Sequence, residues 1–310
     1  MKVVFMGTPD FAVEALKSVI QAGHEVVCVV TQPDKPKGRG KEMQFTPVKQ
    51  CALEHQITVL QPVKVREAES VEALRAFDAD IFIVAAFGQI LPKELLTMPK
   101  YGCVNIHASL LPKYRGAAPI QWAVINGEKE SGVTIQQMGE GVDTGDILLK
   151  REIALDPKET GESLYDKLSR LGAELIVEVL PEIEAGKVVP EKQDEALSTH
   201  VGKITKAMGL IDWNKSAGEL ERLVRGLNSW PSAYTFLRGK TLKIWEAEVL
   251  EEKEDGEPGS VDAVTKTNVI VNTGEGKLAL TSVQLEGKKR MEVKDFLLGY
   301  KVEAGEKLGK

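Results

Sequence analysis

Three polar side chains of different chemistry stand two residues apart in one short stretch of this 310-residue chain. They are the amide Asn105, the imidazole His107 and the hydroxyl Ser109, and they follow an apolar run. In an extended strand, side chains two residues apart point to the same face, so we expect the three to line one wall. Pro112 cannot join a sheet ladder, so the strand must end before it. A hydrogen-bond donor beside a titratable ring at a strand end suits acyl-transfer chemistry.

A glycine-rich segment with three carboxylates is the second candidate, at residues 139–146. A calcium-binding EF-hand loop would need regular ligand spacing and a closing glutamate, and both are missing from this sequence. Two interpretations remain equal. The segment is either a solvated acidic turn or a loop that brings a carboxylate beside His107 to orient the ring.

A basic connection, residues 31–41, is the third candidate. Its cations stand among glycines and a proline after a predicted strand, and they are Lys35, Lys37, Arg39 and Lys41. A charge run of this kind is usually a solvated loop. The alternative is an arm that finds the phosphates of a nucleic acid. A cluster at residues 288–290 and two further lysines could extend such a track, namely Lys203 and Lys206.

The turn after the first predicted strand argues against a dinucleotide site. A nicotinamide-binding fingerprint needs G-x-G-x-x-G at this point, but Pro9 stands where the second glycine belongs, two residues after Gly7. A tight strand-to-helix turn is therefore the better interpretation. Thr8 can cap the helix that follows, and Pro9 suits its first turn.

Composition excludes several classes of protein. A formal net charge of -6 and a pI near 5.5 exclude a uniformly basic nucleic-acid binder, although local basic patches remain. No apolar run of the sequence is long enough to span a membrane, and the first residues read as a strand rather than a signal peptide. Cys28, Cys51 and Cys103 form no metal or disulfide motif. We therefore expect reduced thiols, no metal and a cytoplasmic location.

The elements that must position these residues follow a recognisable order. Buried strands are predicted at residues 2–6, 25–30, 81–85 and 103–107, with helical patterns between them such as residues 11–22. This alternation predicts an α/β fold with a Rossmann-like, mostly parallel sheet and helices on both faces. Further strands are predicted at 133–137 and 147–153. A long helix is predicted at 161–185, with Thr160 as its N-cap and Gly186 as its stop signal.

The chain is longer than one hydrophobic core usually supports, which predicts two domains. We expect a first, catalytic domain at 1–187, a polar and aperiodic linker at 188–206, and a C-terminal domain at 207–310. The last contains a helical pattern at 217–227 and strand patterns at 242–249, 268–271 and 278–285. Turns rich in Gly, Asp and Asn separate these strands, which favours a small β-barrel of OB-like type.

With these motifs in place, the chain resembles the folate-dependent formyltransferase superfamily, and within it the methionyl-tRNA formyltransferase family. The resemblance covers nearly the whole length, and its matching segments are residues 7–11, 31–41, 86–92, 105–121, 132–148, 211–213 and 228–231. It implies an enzyme that moves a formyl group from 10-formyltetrahydrofolate to the amino group of methionine on initiator tRNA. The product would be N-formylmethionyl-tRNA for translation initiation.

The resemblance also implies roles for individual residues. The catalytic trio of the family matches Asn105, His107 and Asp143. Segments that contact the folate match Phe87, Ile90 and Leu91, as an apolar pterin pocket, and Ser109, Leu110, Leu111 and Pro112. The basic loop would enter the tRNA acceptor end with Arg39 foremost, and the C-terminal barrel would hold the tRNA body through its phosphates. The expected protein is a monomer without a metal and without a membrane anchor.

Other functions compete with this interpretation. Formyl transfer to a small amine, such as glycinamide ribonucleotide or an amino sugar, would use the same trio. The basic loop, residues 211–213 and the second domain argue against it. A folate-dependent hydrolase would use the trio with water as acceptor. A nucleic-acid-binding module with an inactive catalytic fold is a different class, and the intact trio argues against that.

Overall fold

The computed structural model describes residues 1–37, 42–251 and 256–309 of the chain. It divides into two compact units. The first comprises Met1–Pro119, Glu130–Ala154 and Tyr165–Val201, and the second Ile120–Lys129, Leu155–Leu164 and Gly202–Lys310. In the part of the chain that the structure describes, no helix combines the length and apolar character needed to cross a membrane.

The first eleven strands belong to the first unit. They are β1 (Lys2–Gly7), β2 (Glu25–Val30), β3 (Lys35–Lys37), β4 (Glu42–Gln44), β5 (Val59–Leu60), β6 (Ile81–Ala85), β7 (Cys103–His107), β8 (Arg115–Gly116), β9 (Glu130–Gln137), β10 (Ile147–Ala154) and β11 (His200–Val201). The helices up to residue 184 are α1 (Phe11–Gln21), α2 (Pro47–Glu54), α3 (Ala68–Arg75), α4 (Lys93–Leu96), α5 (Pro119–Ile125) and α6 (Gly161–Glu184).

A seven-stranded sheet forms the centre of the first unit, in the order β10-β9-β7-β6-β1-β2-β5. The five strands from β7 to β5 run parallel, while β9 and β10 are antiparallel to their neighbours. Every residue of β6 is buried, as expected for a parallel strand covered on both faces. The prediction of a Rossmann-like, mostly parallel sheet is confirmed.

Helix α6 packs closely against β7, the strand that carries the first candidate residues. A Cβ added at Gly172 would lie 2.7 Å from Ile106 Cγ2, so only glycine allows this approach. The Ser169 hydroxyl donates to the Phe11 carbonyl at 2.9 Å, and the Phe11 N–H donates to the Tyr165 hydroxyl at 2.7 Å. Burial raises the pKa of Tyr165 to about 12. The helix therefore fixes both β7 and the start of α1.

The predicted cap of the first helix is wrong, whereas that of the long helix is confirmed. Asp10 occupies the N-cap position of α1 without a side-chain hydrogen bond. Thr8 lies too early, and its hydroxyl instead donates to the Phe87 carbonyl at 3.1 Å, which ties the first turn to the loop after β6. At the start of α6, the Ser163 N–H donates to Thr160 Oγ1 at 3.0 Å.

The segment predicted as a linker, residues 188–206, differs from that expectation as far as Val201. Glu191 bridges to Ile147, a 3-10 turn forms at Glu195–Leu197, and β11 pairs in parallel with β8. These backbone bonds place the chain up to Val201 in the first unit. The polar composition of the segment reflects hydrogen bonds to protein groups, and a pattern of apolar residues cannot reveal such bonds.

The second unit contains an antiparallel sheet and two helices after residue 210. Its elements are α7 (Ala217–Gly226), β12 (Ala233–Leu237), β13 (Lys240–Leu250), β14 (Val261–Val264), β15 (Val269–Asn272), β16 (Lys277–Leu285), β17 (Met291–Glu292) and α8 (Val293–Gly299). The strand order is β12-β13-β16-β15-β14, with β17 beside β16. A capping box of Ser216 and Glu219 starts α7. The described pairings do not join β12 to β14, so a closed barrel stays a prediction.

Candidate active site

Two of the three polar side chains singled out in the sequence share a face at the end of β7. This strand lies between β6 and β9 and ends at His107. His107 is 6% exposed, and Asn105 is half-buried. Ser109 lies beyond the strand end, and its buried hydroxyl donates to the Lys113 carbonyl at 2.7 Å. The wall therefore consists of Asn105 and His107, while the Ser109 hydroxyl stabilises the next turn.

Asp143 of the acidic segment lies against this wall. Its Oδ1 is 3.5 Å from His107 Nδ1 and accepts from Asn105 Nδ2 at 3.5 Å. The same oxygen accepts from Gln136 Nε2 at 2.9 Å, and Oδ2 accepts from the Gly116 N–H at 2.8 Å. The structure thus brings together the amide, the imidazole and the carboxylate. Of the two equal interpretations of the segment, this geometry matches the loop that meets His107.

The donors of Asn105 and His107 are only loosely bound to the carboxylate. Both nitrogens stand 3.5 Å from the same oxygen of Asp143, beyond the usual range of about 2.7–3.2 Å for N–H···O bonds. His107 Nε2 is 3.0 Å from the Tyr114 carbonyl, which can accept its hydrogen. That contact fixes the ring and leaves Nδ1 on the side of Asn105 and Asp143. Asn105 Nδ2 and His107 Nδ1 therefore converge on one point, and Nδ1 is a donor there when both ring nitrogens carry hydrogen.

The turn after β7 is held from the neighbouring strand β9. Thr134 pairs with His107 across the two strands and is fully buried. Its hydroxyl donates to the Ser109 carbonyl at 2.7 Å and accepts from the Leu111 N–H at 3.1 Å. These bonds fix the backbone of the turn that leaves the site. In the sequence, Thr134 stands between the apolar Val133 and Ile135 of β9, and that position is the signal that could have found it.

Gln193 and Arg115 hold the acidic loop from the other side, and the sequence reasoning missed both. Gln193 Nε2 donates to the carbonyls of Asp143 at 2.9 Å and Gly145 at 2.7 Å. Its Oε1 accepts from Arg115 Nε at 3.0 Å and Nη2 at 2.8 Å. Arg115 is 1% exposed and forms two hydrogen bonds with Glu195. These bonds raise the pKa of Arg115 and lower the pKa of Glu195.

The backbone of the acidic loop needs such support because it adopts an unusual conformation. Asp143 has a φ of 53°, in the left-handed region that side-chain-bearing residues seldom adopt. A Cβ at Gly145 would lie 1.6 Å from the Gln137 carbonyl oxygen, so the loop passes directly over β9. Glycine at this position and Gln193 across the loop together hold the Asp143 carboxylate toward the wall.

Comparison with known proteins decides the family. Residues 1–180 match the family model described as formyl transferase, and residues 203–301 match the model of the formyl transferase C-terminal domain. The methionyl-tRNA formyltransferase of Agathobacter rectalis is 59% identical, covering 98% of this chain and 98% of the relative. That of Lachnospira eligens is 56% identical and covers 100% of both chains. The chain belongs to the methionyl-tRNA formyltransferase branch of the formyl transferase family.

Solved structures with the same fold are more distant in sequence. A sugar 3N-formyl transferase, WlaRD, has a TM-score of 0.66 at 21% identity over 93% of this chain and 99% of its own. HypX from Aquifex aeolicus has a TM-score of 0.65 at 21% identity over 99% of this chain. The chain spans about half the length of that structure, 52%. At these identities the likeness supports the formyl transferase fold alone. Gln193 and Glu195 fall between the two matched family segments.

The apolar residues that the sequence assigned to folate are placed unevenly in this formyl transferase. Phe87 and Leu91 belong to the buried core beside β6, and Leu111 is also buried. Ile90, in contrast, is 74% exposed on the loop that follows β6. Half-buried side chains remain at Leu110 and Pro112. Of the residues assigned to folate, Ile90, Leu110 and Pro112 therefore supply the apolar surface near the carboxyl ends of β6 and β7.

The basic residues assigned to tRNA lie in both units of the formyl transferase. Lys35 is exposed in β3, which pairs with β4, and Lys37 ends the same strand. Arg39 and Lys41 lie outside the described residues. Two exposed lysines of the second unit complete the set, Lys203 and Lys206. The structure exposes Lys35 on the hairpin of β3 and β4, and the contact with tRNA stays a prediction.

Proposed function

We propose that the chain transfers the formyl group of 10-formyltetrahydrofolate to the amino group of methionine on initiator tRNA. The observation that carries this proposal is the convergence of Asn105 Nδ2 and His107 Nδ1 beside Asp143. Family membership and relatives of 56–59% identity, each named methionyl-tRNA formyltransferase, support it. The product is N-formylmethionyl-tRNA, which translation initiation consumes.

In the proposed reaction, Asn105 and His107 stabilise negative charge. As the amine attacks, the oxygen of the formyl group gains charge and accepts from Asn105 Nδ2 and from the Nδ1–H of a protonated His107 ring. Both groups are preorganised, because His107 is held by the Tyr114 carbonyl and Asn105 projects from a buried strand. Asp143 stands beside the two donors and gives the attacking amine a nearby acceptor for a proton. The bond between the formyl carbon and the folate nitrogen then breaks, and that nitrogen takes up a proton directly or through water. Holding both substrates together accounts for part of the acceleration.

The residues near the ends of β6 and β7 fit a folate. 10-formyltetrahydrofolate supplies the formyl group when it is bound. The exposed Ile90 and the half-buried Leu110 offer apolar surface to its flat ring system. The hydrogen bond from the Leu111 N–H to the Thr134 hydroxyl fixes the backbone around Leu111, which can then contact the folate without moving. In open α/β sheets, ligands generally bind at the carboxyl ends of the parallel strands.

The tRNA is proposed to contact exposed cations. The hairpin of β3 and β4 presents Lys35, and Arg39 and Lys41 stand between these two strands in the sequence. In the second unit, Lys203 and Lys206 offer phosphate contacts.

We further propose a monomer that acts in the cytoplasm. Its three cysteines are free and buried, and burial raises the pKa of Cys28 and Cys103 to about 12, which suits unreactive thiols.

A formyl-transfer assay with parallel acceptors tests the proposed function. The purified chain is given 10-formyltetrahydrofolate with charged initiator tRNA, charged elongator methionine tRNA or glycinamide ribonucleotide. The proposal predicts rapid transfer to initiator tRNA and slow transfer to the other two. Transfer only to the ribonucleotide would keep the trio and reject the tRNA assignment. Formate release without any acceptor would indicate a hydrolase, and no folate turnover would reject the function altogether.

A further inference from the structure

Gln136 on β9 combines a bond to the proposed carboxylate with an unsatisfied polar atom. It pairs with Asn105 across the strands, so both side chains project on the same face. The side chain is buried, with 2% exposure, and its Nε2 donates to Asp143 Oδ1 at 2.9 Å. Among the described residues, its Oε1 finds no hydrogen-bond partner. A buried glutamine with half of its amide unsatisfied destabilises the fold.

Rotating the amide by half a turn does not remove this defect. The rotation would bring the amide oxygen against the Asp143 carboxylate oxygen, and two acceptors cannot share a hydrogen bond. The orientation is therefore set by the carboxylate, and the unsatisfied oxygen is its consequence. An apolar side chain of equal length would fill the same space without this cost. Natural sequences retain destabilising polar groups mainly at functional sites.

We propose that Gln136 is a positioning residue that holds Asp143 away from the two donors of the site. This inference rests on the proposed function. The two short bonds of the carboxylate, Gln136 to Oδ1 and Gly116 to Oδ2, use one oxygen each and fix its plane. The contacts to Asn105 and His107 stay long at 3.5 Å as a result. Without Gln136, Oδ1 moves into direct bonds with these donors and competes with the formyl oxygen.

Gln136→Met tests this role because it keeps the length of the side chain and removes both polar atoms. We expect kcat to fall by about 10- to 100-fold, as misplaced reacting groups typically cause. KM for tRNA and for folate stays unchanged, since neither ligand is proposed to contact Gln136. The melting temperature stays equal or rises, because the unsatisfied oxygen is gone. A merely structural residue would instead lower the melting temperature without a selective loss of kcat.

Gln137 supplies the matched control in the same strand. Its side chain projects to the opposite face, where Nε2 donates to the Cys103 carbonyl at 3.0 Å. Gln137→Met should therefore lower the melting temperature and leave kcat close to that of the wild type. If Gln136→Met fails to fold, Gln136→Glu keeps the shape and replaces the donor by an acceptor. We expect an equal or larger loss of kcat from it.

A double-mutant cycle with Asp143→Asn closes the test. If Gln136 acts only through Asp143, Gln136→Met causes no further loss of single-turnover rate in the Asp143→Asn background. The positioning role would be overturned if the rate losses of Gln136→Met and Asp143→Asn multiply in the double variant. A wild-type kcat for Gln136→Met would overturn it as well. Full turnover by Asp143→Asn alone would instead reject the proposed site. The failure of the inference and the failure of the proposed function thus give different results.

Discussion

The acidic loop at residues 139–146 and the described part of the basic loop, residues 31–37, carry opposite charge and are held in different ways. In the acidic loop, Asp143 is bound through both carboxylate oxygens and through its carbonyl. The Gly145 carbonyl accepts a second bond from Gln193, and its Cα packs on β9. The charge of Asp143 therefore occupies one fixed position.

In the basic loop, the contacts that the structure describes involve its first residues, which bond to the segment that follows β4. The hydroxyls of Thr31 and Thr46 share a hydrogen bond of 2.7 Å, and Lys49 pairs with Asp34 at 2.5 Å. Beyond these anchors, Lys35 extends into solvent. The difference matches the chemistry that is proposed for each loop. Stabilising a transition state requires fixed groups, whereas attracting phosphates depends on the number of charges and tolerates loose geometry.

Removing the fixed donors should produce the largest effect. We expect Asn105→Ala or His107→Ala to lower kcat by about 10²–10³-fold, the usual result of losing one donor to a developing oxyanion. The melting temperature of Asn105→Ala should change little by comparison, because this side chain is half-buried and, among the described residues, forms only the long contact to Asp143. Steady-state kinetics and thermal unfolding of both variants provide the check. Near-normal turnover would remove that residue from the mechanism.

Releasing the acidic loop should produce the next largest effect. Gln193→Ala removes the donors to the carbonyls of Asp143 and Gly145. We expect a loss in kcat of about tenfold or more, since a shift near 1 Å in a reacting group has consequences of this size. The exposed neighbour Lys192 offers a control, and Lys192→Ala should retain wild-type kcat. Equal kinetics of the two variants would show that the loop keeps its position without Gln193.

Changes in the basic loop should act on tRNA alone and depend on salt. Lys35→Ala or Arg39→Ala should lower kcat/KM for tRNA and leave KM for folate unchanged. Each lost phosphate contact should reduce the slope of log kcat/KM against log salt by about one unit. Assays at several salt concentrations measure this slope. An unchanged slope in both variants would separate the basic loop from tRNA binding.

The anchor of the basic loop should show the smallest effect, on stability and only above acidic pH. The hydrogen bond from Lys49 lowers the pKa of Asp34 below its ordinary value of 3.8. Because folding lowers this pKa, the bond stabilises the fold above that value, and the contribution is lost as the pH falls through the folded-state pKa. Asp34→Asn should melt below the wild type near pH 7, and the difference should shrink toward about pH 3. A difference that persists there would point to packing instead.

The sequence predicted those parts of the site that lie on periodic elements. Short continuous apolar runs were enough to place β6 and β7, and the alternation of side chains along a strand gave the common face of Asn105 and His107. The resemblance to formyltransferases added Asp143, whose position depends on the fold of a glycine-rich loop. Spacing alone left that loop undecided, because its conformation is set by partners that are distant in sequence.

The residues that hold the site could not be predicted either, because their partners are also distant in sequence. Gln193 lies 50 residues from Asp143 in the chain, in a polar stretch with no apolar period. Gln136 and Gln137 are identical neighbours, yet one faces Asp143 and the other faces the backbone of β7. Only the register of β9 against β7 distinguishes them. Hydrogen bonds between such distant polar groups leave no local signal in a single sequence.

A crystal structure with a non-transferable formyl donor and an aminoacyl acceptor analogue would test the central claim most directly. The account predicts that the formyl oxygen lies within about 2.7–3.1 Å of both Asn105 Nδ2 and His107 Nδ1, with the amine on the side of Asp143. A formyl group that is bound elsewhere, or that contacts neither donor, would contradict the proposed site.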